Sequence, residues 1–140
     1  MNKEKQPVKI NDLITRYQII DGDFKDLSKF NFEGVYIIYD DATKEVVYIG
    51  SAYARTIEER LKQYKSKSNT GNTLMHAICK KDYCVAKVKD ITSEQKNNAI
   101  KKILSFKIKA IPHEDLEYRL IHDGFPKYNT AGCQIDYSED

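Results

Sequence analysis

Seven residues of the 140-residue chain stand where their chemistry could be used: Tyr36, Tyr48, Gly50, Arg60, Tyr64, Glu117 and Asn129. Tyr36 and Tyr48 fall in two short β-rich runs, GVYIIYD and EVVYIG. Their simplest use is cross-strand packing, and their hydroxyls are also proton donors and acceptors. Gly50, at the end of the second run, permits a close backbone approach or a positive φ. Arg60 and Tyr64 are four apart, so one helix face carries both. Arg55 is the alternative arginine, placed in the preceding loop. Glu117 lies in the apolar stretch LEYRLI and borders its packed face. A carboxylate there is either an edge surface residue or a ligand for a divalent ion. Magnesium accepts one protein carboxylate alongside waters and a substrate phosphate. Asn129 reads most simply as a turn residue.

These residues need elements to position them. Ile10, Leu13, Ile14 and Tyr17 recur at helical spacing, which predicts a short helix near 11–19 with Asn11 or Asp12 as cap. Residues 20–34 read as a loop anchored by Phe24, Leu27 and Phe30, with one helical turn at most. The two β-rich runs predict an antiparallel hairpin, its loop at Asp40–Glu45. Thr56 and Glu59 suit a capping box for a helix over 56–66, with Ile57, Leu61 and Tyr64 as its stripe. A second helix is predicted from Asn72 or Thr73 to about Lys81. The alternation in 83–91 predicts a strand, and 92–104 a Lys-rich helix capped by Thr92 or Ser93. A period of two around Leu104, Phe106, Ile108 and Ala110 predicts another strand. Pro112 is expected in the first turn of a last helix, with Leu116, Leu120 and Ile121 buried and Gly124 and Pro126 stopping it. The expected fold is a small α+β domain. A central three-stranded, largely antiparallel sheet is flanked by helices.

Composition narrows the classes. A mass of 16.2 kDa fits one domain, which buries roughly 68% of its extended-chain surface without a metal or disulfide staple. Hydrophobic residues are 41% and charged residues 31%, which argues against global disorder. No apolar run nears the roughly 20 residues of a membrane helix, and the start, MNKEKQPVKIND, has no signal-peptide core. The expected location is cytoplasmic. Cys79, Cys84 and Cys133 are odd in number and match no zinc or disulfide spacing. Net charge is +2, but residues 51–109 hold 14 Lys/Arg against 5 Asp/Glu, between two acidic ends. Such a basic middle can focus a polyanion on one face, or be an ordinary solvated surface.

Gly34-Val35-Tyr36 and Tyr48-Ile49-Gly50, with eleven residues between them, resemble the paired motifs of the GIY-YIG nuclease family. Arg60 with Tyr64, Leu116–Ile121 with Glu117, and Pro126–Asn129 continue the resemblance in order. It covers about residues 33–132, as a stand-alone small catalytic domain. Residues 1–32 form an N-terminal extension packed on or preceding that core, and 133–140 an acidic tail. The resemblance implies a divalent-metal-dependent DNA endonuclease that hydrolyses phosphodiester bonds at a single-metal site. Glu117 would hold Mg²⁺, with Mn²⁺ as substitute. Tyr36 or Tyr48 would activate the attacking water, and Tyr64 would assist proton transfer or hold that water. Arg60 would bind the scissile phosphate, Asn129 would support the site, and Gly50 would keep the phosphate-side wall thin. Ser51 stands where some relatives carry lysine, and the loop from Ser51 to Arg60 is about two residues longer than the simplest pattern. The other reading is a catalytically inactive nucleic-acid-binding module of the same fold. DNA is the expected partner, with a homodimer or a targeting partner possible and no membrane.

Overall fold

The computed structural model describes residues 6–14, 17–68, 71–114, 116–129 and 135–137. Its elements run α1 (Ile10–Leu13), β1 (Ile20–Asp23), a 3₁₀ turn at Ser28–Phe30, β2 (Gly34–Tyr39), β3 (Val46–Ala52), α2 (Ile57–Gln63) and α3 (Thr73–Asp82). A 3₁₀ turn at Val88–Asp90, α4 (Ser93–Leu104), β4 (Lys107–Pro112) and α5 (Glu117–Gly124) complete them. No helix among the described residues is long and apolar enough to cross a membrane.

The sheet has four antiparallel strands in the order β1-β4-β2-β3, one more than the sequence predicts. The addition is β1, which lies in the stretch expected to be loop. Its sequence, IDGD, has little strand propensity of its own. Pairing with β4 makes it a strand, and Asp21 and Asp23 form ion pairs with Lys109 and Lys107. Phe24, Leu27 and Phe30 are buried as expected.

The hairpin of β2 and β3 pairs Tyr36 with Gly50 and Ile38 with Tyr48, with an irregularity at Ile38/Tyr39. Val35–Ile38 are all buried, because helices cover both faces of the sheet. On one face Tyr36, Ile38, Ile108 and Ala110 join side chains of α2, α3 and α4. On the other, Val35, Ile37, Ile49 and Ile111 pack with Ile10, Ile14 and Leu120 of the N-terminal segment and α5.

The caps fall where their chemistry places them. Thr56 Oγ1 accepts from the Glu59 amide, Asn72 Oδ1 from Met75, and Thr92 with Gln95 forms a reciprocal capping box. Three further sequence expectations change. Pro112 ends β4, opposite Gly34, and α5 starts five residues later. A residue without an N–H suits a strand end as well as a helix start. The alternating stretch 83–91 is no strand. Among the described residues its one bridge joins Lys87 to Asp136, and it closes in a 3₁₀ turn. Helix α1 is also shorter than predicted, and residues 15 and 16 of that prediction lie outside the described residues.

Candidate active site

The site gathers around β3, an edge strand of the sheet. Alternation along β3 sends Tyr48 to the face covered by α2 and α3, and Ile49 and Ser51 to the face covered by α5. The two faces therefore deliver different groups to one rim.

On the first face the centre is an aromatic cluster. Tyr36 crosses over Gly50, and a Cβ on Gly50 would stand 2.2 Å from the Tyr36 hydroxyl and 2.4 Å from Cζ. The motif glycine therefore makes room for the motif tyrosine. Gly34 is required by backbone: its φ is +153°, and a Cβ there would meet the Ile111 carbonyl oxygen at 2.2 Å. The Tyr36 and Tyr64 hydroxyls are 2.5 Å apart, and their rings meet edge-on with centroids 6.0 Å apart. Tyr48 meets Tyr64 the same way at 5.8 Å. Tyr36 is 1% exposed and Tyr64 0%. Burial pushes both phenols well above the ordinary tyrosine value; Tyr48 adds to the rise in both, the Arg60 charge opposes it, and the shared hydrogen bond raises Tyr64 while lowering Tyr36. Both are neutral phenols at physiological pH. Tyr48 is half-buried, and its hydroxyl lies 3.0 Å from Thr73 Oγ1.

Arg60 lies over the Tyr64 ring, 4.5 Å from the centroid. Its Nη1 donates to Gln63 Oε1 at 2.7 Å and to the Gly71 carbonyl at 2.5 Å, and its Nη2 to Thr73 Oγ1 at 3.1 Å. Three of the five guanidinium protons are used. Among the described residues Nε–H and one Nη2–H have no partner, and such donors can bridge two oxygens. Arg55 is exposed and donates to Gln63 at 3.1 Å. Of the two arginines, Arg60 is the one built into the cluster.

On the second face Glu117 opens α5. Its Oε2 accepts the Ser51 hydroxyl at 2.5 Å, and its charge is one of those that raise Tyr36. Asn129 clamps the edge of β3: Oδ1 accepts from the Ile49 amide at 2.7 Å, and Nδ2 donates to the Ile49 carbonyl at 2.9 Å. The amides of Lys127 and Tyr128 bond to Val46 and Val47 beside it. Asp82 anchors this segment by accepting from Tyr128 Oη at 2.6 Å and from Lys102 at 2.8 Å.

All seven sequence-derived residues thus border β3 or the cluster beside it. Four partners were not foreseen. Thr73 joins Tyr48 to Arg60, Gln63 and the Gly71 carbonyl fix Arg60, and Ser51 holds Glu117. The sequence marked Thr73 as a helix start and Ser51 as a departure from a lysine, and those were the signals available.

Among the described residues no three His, Cys, Asp or Glu side chains gather as a metal cluster. The protein offers a hard cation one carboxylate, Glu117, and the Ser51 hydroxyl beside it. That donor set fits magnesium, which keeps most of its waters and takes phosphate oxygens from a substrate.

Residues 32–129 match the GIY-YIG catalytic domain. The chain belongs to this family, whose members comprise endonucleases acting on DNA, and it carries the nuclease-type fold. Neither the curated proteins nor the solved structures contain a match.

Proposed function

We propose that this protein is a divalent-metal-dependent DNA endonuclease that hydrolyses phosphodiester bonds through a single-metal site. One observation carries the reading. In a GIY-YIG domain, one sheet edge brings the carboxylate of Glu117 from one face together with the Arg60–Thr73–Tyr48 chain from the other. When bound, Mg²⁺ or Mn²⁺ supplies Lewis-acid polarisation of the phosphate and neutralises developing charge. Glu117 would hold it, with Ser51 fixing the carboxylate. Arg60 directs its two remaining donors at the scissile phosphate.

Water activation falls to Tyr48. Tyr36 is buried, hydrogen-bonded to Tyr64 and held as a neutral phenol. Tyr48 is the cluster tyrosine open to water. Its hydroxyl faces Thr73, the first residue of the ten-residue helix α3, whose N-terminal end favours negative charge. Tyr36 and Tyr64 pack Tyr48 and Arg60 in place. The cytoplasmic location belongs to the same proposal, and the thiols of Cys79 and Cys84 are free.

The test is nicking of supercoiled plasmid across a Mg²⁺ and Mn²⁺ titration, with an EDTA control. Wild type is expected to nick. Glu117→Ala is expected to lose at least about a hundredfold in rate, the scale of removing one preorganised electrostatic group. Equal rates in the two proteins would end the single-metal assignment. The inactive DNA-binding module is the second reading, and Ser51 in place of a lysine favours it. Folded wild type that binds DNA yet cuts none of plasmid, flap or branched substrates would establish it.

A further inference from the structure

His76 takes no part in the chemistry above, yet it is buried in α3 at 1% exposure. Its Nδ1 lies 2.8 Å from the Tyr137 hydroxyl, and its Nε2 has no partner among the described residues. Burial, with the charge of Lys96, lowers its pKa, so the ring is neutral at physiological pH. The two rings meet edge-on with centroids 5.2 Å apart. Among the described residues, this imidazole's hydrogen bonding goes to one tyrosine.

That tyrosine is half open to solvent, at 53% exposure. It belongs to residues 135–137, which return along the 86–88 stretch. Ile135 is buried, the Asp136 amide bonds to Ala86, and the Val88 amide to Asp136. His76 lies three residues after Thr73, on the same helix face. Thr73 touches Tyr48 and Arg60, so Tyr137 stands about one helical turn from the site, within electrostatic reach of Arg60.

We propose that Tyr137 is a substrate-stacking residue, held by His76, that takes the face of an unpaired nucleobase beside the scissile phosphate. The inference rests on the nuclease reading and narrows its substrate. A base inside a duplex has both faces covered, so a protein ring reaches one only where the base is unpaired or turned out. The site therefore favours flapped, branched or single-stranded DNA over intact duplex. An aromatic ring whose hydroxyl is tied down adds stacking area without losing much freedom on binding.

The experiment measures binding in EDTA, without turnover, to a fluorescent duplex carrying a short single-stranded flap. Tyr137→Ala is expected to weaken binding roughly 5- to 100-fold, the range for one stacked base. Tyr137→Phe keeps the ring but loses its hold on His76, and is expected between wild type and Tyr137→Ala. A single abasic position in the flap should cost wild type the same factor and cost Tyr137→Ala nothing further. In wild type alone, 2-aminopurine at that position should be quenched on binding. Wild-type affinity in Tyr137→Ala, or no flap position that quenches, would overturn the proposal. Absence of DNA binding by wild type would instead overturn the nuclease reading itself.

Discussion

Gly50 shows how one missing side chain places another. Its Cβ position is filled by the Tyr36 ring, which is fixed on every side. Gly50→Ala is expected to destabilise the protein by about 1–3 kcal/mol, the usual cost of overpacking, read as a lower urea midpoint. A ring pushed off Gly50 also leaves the Tyr64 hydroxyl, so activity should fall with stability. The Tyr36–Tyr64 pair carries a pH signature. In the unfolded chain phenols lose their protons near pH 10, whereas the folded pair holds them to higher pH. Above pH 10 the unfolded state therefore binds fewer protons, and stability falls as pH rises. Urea midpoints between pH 8 and 11 should fall more shallowly above pH 10 in Tyr36→Phe than in wild type. Equal slopes would mean that Tyr36 titrates normally. At this scale the residue types were legible, since Tyr36 and Gly50 both stand out in the sequence. The cause of the pairing was not, because it depends on a register that only the folded hairpin defines.

At the scale of elements, β3 is an edge strand whose outer hydrogen-bonding row is covered by residues 126–129 rather than by another strand. Exposed edges invite pairing with other chains, and a short segment that bonds to the edge blunts it. Asn129→Ala removes both bonds to Ile49. The expected cost is about 1–3 kcal/mol, with the Ile49 amide losing protection in hydrogen exchange before the β2–β4 amides do. Uniform loss of protection across the sheet would contradict a local clamp. The elements best read from sequence were those that carry their own signals. The hairpin has β-branched runs, and α2, α3 and α4 have side-chain caps at Thr56, Asn72 and Thr92. Strand β1 carries none, since it is made by Lys107 and Lys109 opposite its aspartates. Residues 83–91 err the other way. Their alternation is real, but among the described residues they pair only through the isolated Lys87–Asp136 bridge.

Over the whole molecule, charge and site coincide. The basic stretch 51–109 begins at the end of β3 and includes Arg60. Lys65 and Lys67 are exposed between α2 and α3, in the connection whose Gly71 carbonyl fixes Arg60. If they meet phosphates, DNA affinity should fall with salt, and Lys65→Ser with Lys67→Ser should reduce the log–log slope by about two. An unchanged slope would place the DNA elsewhere. The fold class and the site's residue types were legible at this scale. The contacts that tie the site together were not, because Ser51 with Glu117 and Ile49 with Asn129 are separated by 66 and 80 residues.

Those separations also govern time. Strand β4 sits between β1 and β2, so the sheet cannot close until the chain has reached residue 112. Glu117 and Asn129 arrive later still. Long-range pairings of this kind slow folding, since loop-closure entropy is lost before the contacts compensate. During synthesis the early hairpin emerges with Tyr36, Tyr48 and Gly50 but without the carboxylate or the clamp. A growing chain on the ribosome therefore lacks Glu117 and Asn129, and the site becomes complete only once residue 129 has been made.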